Sequence, residues 1–80
     1  MEKRIGTITI FVSNRESSHQ INDILSAYGQ IILCRQGLPF RDRDIAVISL
    51  IVEGTSDEVN ALTGRLGRLP EVTCKAIFAK

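Results

Sequence analysis

Apolar and polar positions alternate with a period of two in IGTITIFV, residues 5–12, which predicts a first β-strand. The polar stretch SNRESS, residues 13–18, is typical of turns and helix N-caps. The period then becomes helical, with an apolar stripe formed by Ile21, Ile24, Leu25 and Tyr28. Gly29 predicts the end of this helix, because glycine adopts a left-handed backbone without a steric penalty.

The next two apolar runs predict a β-hairpin. QIILCRQG (30–37) and DIAVISLIVEG (44–54) are the expected second and third strands, and the connection between them is short. Within that connection Gly37 is expected to give the backbone freedom, Pro39 to end the ladder pairing and Asp42 to cap the turn.

The second helical signal lies in GTSDEVNALTGRLGRLP, residues 54–70. Thr55 and Glu58 have the spacing of a capping box, and Pro70 prevents the helix from continuing. EVTCKAIFA (71–79) then predicts a fourth strand, whose core side would carry Val72, Cys74, Ala76 and Phe78.

The order of these elements is β-α-β-β-α-β in a chain of 80 residues, which we interpret as a single domain, 1–80. Two split βαβ units of this length predict an α+β, ferredoxin-like sandwich. With right-handed crossovers, its four-stranded antiparallel sheet has the order 4-1-3-2, and both helices cover one face.

The face of this sheet away from the helices is expected to be apolar. The third strand is aliphatic on both sides, and Phe11 and Ile77 add to whichever face the helices leave open. An open face of this kind is typical of an interface. We therefore expect a homo-oligomer, a dimer or a tetramer, that covers this face or extends the sheet across an edge.

The hairpin itself carries two residues that a turn does not need, Arg35 and Phe40. Arginine and aromatic residues are enriched at interfaces, so both are candidate contact residues. The full predicted interface comprises Phe11, Arg35, Leu38, Phe40, Val47 and Ile51.

Charge and composition narrow the function classes. A formal net charge of +1 argues against direct nucleic-acid binding, which usually needs a clustered basic excess. The longest apolar runs are far shorter than the roughly 20 residues of a membrane span, and the first residues lack a signal-peptide pattern. We expect a soluble cytoplasmic protein without membrane contact.

Residues with catalytic or metal-binding chemistry are few. Two distant cysteines cannot hold an iron–sulfur cluster within one chain, and a single histidine has no nucleophile motif around it, so we expect no enzyme. His19 and Cys34 could share a metal between neighbouring chains. The alternatives are a solvated helix residue for His19 and a small buried residue for Cys34. The sequence names no cofactor.

The first loop offers one binding hypothesis. Ser13, Asn14 and Arg15 lead from a central strand into a helix N-terminus, where free backbone N–H groups favour an anion. An ordinary helix start has the same features, so both interpretations stay open.

Two long stretches carry a family resemblance: ILSAYGQIILCRQGLPF (24–40) and VISLIVEGTSDEVNALTGRLGRLPEV (47–72). The helix ending in Tyr-Gly, the R-x-G-L-P-F motif and the LTGRLGRLP helix end resemble the family of iron-only hydrogenase system regulators. These proteins have an ACT-like fold, related to the C-terminal domain of nickel-responsive regulators.

The resemblance implies a regulatory or sensing module linked to an iron-only hydrogenase system. ACT domains form dimers or tetramers and bind small molecules at interfaces near the first loop and the second strand. A small-molecule ligand or a metal at a subunit interface is therefore expected. The alternative is an accessory subunit that contacts another protein without a ligand, and a small enzyme of unknown type is less favoured.

Overall fold

Four β-strands and two α-helices form the computed structural model, which describes residues 2–13 and 15–79. The strands are β1 (Arg4–Val12), β2 (Ile32–Phe40), β3 (Ile45–Gly54) and β4 (Val72–Phe78), and the helices are α1 (Ser18–Ala27) and α2 (Ser56–Gly67). The strands form one antiparallel sheet in the order β2-β3-β1-β4. The predicted ferredoxin-like fold and sheet order are therefore confirmed.

One face of the sheet packs on both helices and forms the core. Ile8 and Ile10 of β1 and Leu50 and Val52 of β3 are completely buried there. The helices contribute the apolar stripes seen in the sequence: Ile21, Ile24 and Leu25 of α1, and Val59, Leu62 and Leu66 of α2. Strand alternation sends every second residue of β1 and β3 into this core.

The capping box predicted for α2 is present. The Thr55 hydroxyl accepts a hydrogen bond from the Glu58 N–H at 3.2 Å, and the Glu58 carboxylate accepts one from the Thr55 N–H at 2.8 Å. Two otherwise unpaired amides at the helix start are thereby satisfied. In the described part of the chain, no helix has both the length and the apolar character needed to cross a membrane.

Helix α1 ends directly before Gly29, as predicted, but without the left-handed backbone expected there. Its C-cap is Tyr28, whose N–H donates to the carbonyls of Ile24 and Leu25, and Gly29 does not adopt a left-handed backbone. Tight bonds in the last turn satisfy the terminal carbonyls, so no left-handed residue is required. Positive φ angles occur instead at Asp44 (54°) and Glu71 (57°), in the turns that precede β3 and β4.

The hairpin strand β2 also differs from its predicted position. It runs from Ile32 to Phe40 rather than over 30–37, and Pro39 pairs with Ala46 instead of ending the ladder. Proline is tolerated because β2 is an edge strand, with only one neighbour to bond. The register shifts between Ile32 and Cys34, which places a bulge at Leu33.

Candidate interaction surface and groove

The open face of the sheet is the side turned away from both helices. Residues that pair across antiparallel strands point to the same side, so the register defines this face. Its members are Ile5, Thr7, Thr9 and Phe11 of β1; Cys34, Gln36, Leu38 and Phe40 of β2; Ile45, Val47, Ser49, Ile51 and Glu53 of β3; and Thr73, Lys75 and Ile77 of β4.

Large apolar side chains on the open face are accessible to water. Ile77 is 65% exposed, Leu38 58% and Phe11 47%, and Ile5, Phe40 and Ile51 are exposed to a similar degree. Exposed apolar surface of this extent marks an interaction site. The expectation that strand three would be apolar on both sides is met, because Ile45, Val47 and Ile51 face outward.

The register arranges the open face into rows that cross the sheet. A polar row runs through the middle, and it consists of Gln36, Ser49, Thr9 and Lys75. A largely apolar row lies on each side of it. The first is Leu38, Val47, Phe11 and Thr73, and the second is Cys34, Ile51, Thr7 and Ile77.

The open face is nearly uncharged and carries a hollow. Among the strand residues on this face, all of them described, the charged ones are Lys75 in the polar row and Glu53 towards one end. The hollow has a volume of about 430 Å³ and lies over β2 and β3, where it is lined by Gln36, Gly37, Leu38, Phe40, Val47 and Ser49. Gly37 lines the hollow with its backbone, because a Cβ there would point towards Ile48 on the helix side.

Five of the six residues predicted at the interface lie together on the open face: Phe11, Leu38, Phe40, Val47 and Ile51. Arg35 is separated from them. It pairs with the buried Leu50 and therefore points to the helix side, where its Nη2 donates to Oδ1 of Asn22 at 3.0 Å. Strand alternation accounts for this separation, because Arg35 stands at an odd position and Leu38 and Phe40 at even positions of one continuous register. The bulge at Leu33 decides which of the two sets faces the helices.

A groove between α1 and the β2–β3 hairpin lies on the helix side. Two cavities of about 210 and 430 Å³ adjoin there and share Val12, Ser18, Pro39 and Ala46 in their walls. Arg35 and Asn22 line the smaller cavity, and Arg41 lines the larger one. Among the described residues, Asn22 is the hydrogen-bonding partner of Arg35, so the guanidinium is oriented but its charge is not neutralised.

The loop between β1 and α1 is partly outside the described residues. Asn14 and the side chain of Arg15 are not described. The Ser13 N–H donates to the carbonyl of Glu71 at 3.0 Å, so this amide is already engaged. The Ser17 hydroxyl donates to the carbonyl of Pro70 at 3.2 Å, which anchors the start of α1 to the turn before β4.

His19 and Cys34 do not meet within one chain. His19 is exposed on α1, with its Nε2 3.7 Å from Oδ2 of Asp23, whereas Cys34 lies on the open face. Over residues 2–13 and 15–79, no three histidine, cysteine, aspartate or glutamate side chains are grouped as metal ligands. A metal shared between copies stays a prediction.

Cys74 occupies the core side of β4, as its pattern predicted. It packs against the core, and its Sγ donates to the carbonyl of Thr63 at 3.3 Å. Burial raises the pKa of the Cys74 thiol, so the protonated form dominates at neutral pH. A protonated, hydrogen-bonded thiol is a poor nucleophile, and Cys74 therefore has a packing role.

The fold defines the class, a ferredoxin-like βαββαβ sandwich, and PII-like proteins share this fold. Residues 4–76 match the family described as "TM1266-like: Iron-only hydrogenase system regulator, putative". The chain belongs to this family. It is 34% identical to the uncharacterized protein TM1266 from Thermotoga maritima, with a TM-score of 0.94 over 99% of this chain and 100% of that one.

Other solved structures share the fold at low sequence identity. CPII from Thiomonas intermedia, bound to ADP, AMP and acetate, is 15% identical, with a TM-score of 0.54 over 100% of this chain and 93% of that one. The divalent ion tolerance protein CutA1 from Ehrlichia chaffeensis is 17% identical, with a TM-score of 0.52 over 100% and 85%. A comparison with curated proteins finds no match.

Proposed function

We propose that the chain is a non-enzymatic regulatory module of an iron-only hydrogenase system, and that its working form is a homo-oligomer assembled through the open face. Family membership and the PII-like fold support a regulatory role. The observation that carries the assembly is the exposed apolar surface of the open face, formed by residues of all four strands.

The accessible surface of the chain supports this assembly. It measures 5567 Å², whereas a compact monomer of 8.9 kDa is expected to expose about 4,800 Å². The chain therefore exposes more surface than a compact monomer of its mass, and the open face contributes to this surface.

Sedimentation velocity at micromolar concentration tests the assembly. We expect a mass at least twice 8.9 kDa for the parent chain and 8.9 kDa for Ile51→Lys, which places a charge on the open face. Ala61→Lys is the matched control, because it adds the same charge to an exposed position of α2 and should leave the mass unchanged. A monomeric parent chain contradicts the proposal.

A small-molecule function is favoured by the oriented guanidinium of Arg35 in the groove. Arginine held by a side-chain amide presents its remaining N–H donors to a carboxylate or phosphate. CPII carries ADP, AMP and acetate, so these are the probes of choice. A ligand at 100 times its Kd adds about 2.7 kcal/mol to the free energy of unfolding.

Thermal denaturation in the presence of AMP, ADP or acetate tests this binding. We expect at least one probe to raise the Tm of the parent chain and of Arg65→Gln, but not that of Arg35→Gln. Arg65 is a suitable control because its guanidinium stacks on Tyr28 at 5.6 Å on α2. No shift with the parent chain favours the accessory subunit that acts without a ligand, whereas equal shifts for both variants place the binding away from Arg35 and contradict the groove.

A further inference from the structure

The rows of the open face restrict what can cover it. A partner surface must be polar opposite the polar row and apolar opposite the two flanking rows, because a buried polar group without a hydrogen-bonding partner destabilises the interface. A second copy of the same face meets this requirement when a twofold axis passes through its centre. Twofold interfaces of this kind are self-complementary and are the commonest in homo-oligomers.

The symmetry leaves two possible arrangements. An axis that relates two facing sheets must lie in the plane between them, since an axis perpendicular to that plane would map each sheet onto itself. It therefore runs either across the strands, along the polar row, or parallel to the strands, between β1 and β3. Both place one polar row on the other, and they differ in which residues of the rows face each other.

The charge of Lys75 distinguishes the two arrangements. An axis across the strands places Lys75 opposite the Lys75 of the second copy, and two like charges would then be buried together. An axis along the strands places β2 opposite β4, so that Lys75 faces Gln36. The ammonium donates to the amide oxygen there, and Ser49 faces Thr9 with donors and acceptors on both sides.

The shape of the face favours the same axis. With the axis along the strands, Phe11 of β1 lies opposite Val47 of β3, beside the hollow of about 430 Å³ over β2 and β3. An exposed aromatic ring thus meets a depression, as anchor residues do at interfaces. With the axis across the strands, Phe11 would instead lie opposite Thr7, a smaller and polar neighbour.

We propose that two copies stack their open faces about a twofold axis parallel to the strands, with Lys75 of each copy donating to Gln36 of the other. This inference rests on the proposed assembly through the open face and specifies its geometry. Gln36 and Lys75 lie about 7 Å from the axis, so a crossing angle of about 30° between the sheets displaces them by only about 4 Å. Long side chains cover that distance.

The size of the face indicates a reversible dimer. Four strands about 4.8 Å apart, with a rise of about 3.3 Å per residue, give roughly 500 Å² for each copy in projection. About 1,000 Å² in total is near the lower limit of specific interfaces. Substitutions in the polar row should therefore change the dimer dissociation constant measurably.

Charge substitutions at Gln36 test the axis. Gln36→Glu places a carboxylate opposite Lys75, and we expect a Kd for dimerisation lower by about two- to fivefold, whereas Gln36→Lys should raise it. With an axis across the strands, Gln36→Glu should instead raise the Kd, because the introduced glutamates of the two copies would then face each other. Gln36 is exposed on an edge strand, so the Tm of the diluted, monomeric variants should stay unchanged.

Chemical cross-linking gives a second readout. Two single-cysteine variants, Gln36→Cys and Lys75→Cys, are made separately in a chain that also carries Cys34→Ser and Cys74→Ser. The two variants are then mixed and treated with a bismaleimide that bridges the roughly 10 Å between facing sheets. We expect covalent dimers in the mixture and few with either variant alone, since identical positions are about 17 Å apart. Efficient cross-linking of Lys75→Cys alone, in a chain that sediments as a dimer, contradicts the axis parallel to the strands but not the assembly through the open face. A chain that sediments as a monomer contradicts both proposals.

Discussion

Glu58 shows what a single residue contributes at the start of α2. The hydrogen bond that its carboxylate accepts from the Thr55 N–H, and then its contact with the Thr55 hydroxyl, lower the pKa of Glu58 below its ordinary value. A lowered pKa means that the folded chain stabilises the ionised carboxylate of Glu58 more than the unfolded chain does. The resulting stability is present above pH 4.5 and is lost as the pH falls through the lowered value.

The pH dependence of unfolding checks this role. We expect the free energy of unfolding of the parent chain to fall on acidification below about pH 4.5, and that of Glu58→Gln to fall less steeply. Glutamine keeps the capping geometry without a titrating group. Asp42→Asn, which removes a carboxyl from the turn after β2, is the control. The same pH dependence for Glu58→Gln and the parent chain would show that ionisation of Glu58 does not contribute to stability.

Arg35 was predicted at the interface of the open face but lies on the helix side of the sheet. Its type and its place beside an edge strand suggested the same interface as Phe40, and the structure turns the two side chains to opposite sides of the sheet. A strand alternates sides at every residue, so Arg35 and Phe40, five positions apart, face opposite sides, and the bulge at Leu33 decides which of them faces the helices. No local property of the sequence marks that bulge.

The β2–β3 hairpin is the element that links the two candidate sites. Its outward residues belong to the open face, and its inward residues line the groove against α1. Of its first strand, only Ile32 is even half-buried, so β2 contributes little to the core. An element with few core contacts is free to serve binding, and its substitutions should affect assembly more than folding.

Phe40 tests this division of roles. Its ring is 42% exposed, it pairs with Ile45 on the open face, and it lines the hollow. We expect Phe40→Ala to lower the stability of the monomer by about 1 kcal/mol or less and to raise the dissociation constant of the oligomer. Leu33→Ala, at a more exposed site outside the rows, is the control. A large loss of Tm with unchanged assembly would assign Phe40 to the core.

The whole molecule has a small core relative to its surface. One layer of two helices covers one side of the sheet, and the other side exposes aliphatic residues. A domain of this size has a thin margin of stability, and burying a second face is one way to extend it. Folding and assembly are therefore expected to be linked thermodynamically.

The concentration dependence of thermal unfolding measures this linkage. Association of folded chains raises the Tm with protein concentration, and we expect this for the parent chain over the range in which sedimentation detects the oligomer. For Ile51→Lys the Tm should be independent of concentration. A Tm that does not change with concentration in the parent chain indicates that the open face contributes nothing to stability.

The sequence by itself determined the elements, their order, the capping box of α2 and the apolar character of both sides of β3, because these depend on local periodicity and local hydrogen bonds. Strand order followed from the handedness of the crossovers. The tertiary structure alone decided the extent of β2, the side on which Arg35 lies, its partner Asn22 and the polar row of the open face. These features depend on register between distant strands, which is set by packing rather than by any neighbouring residue.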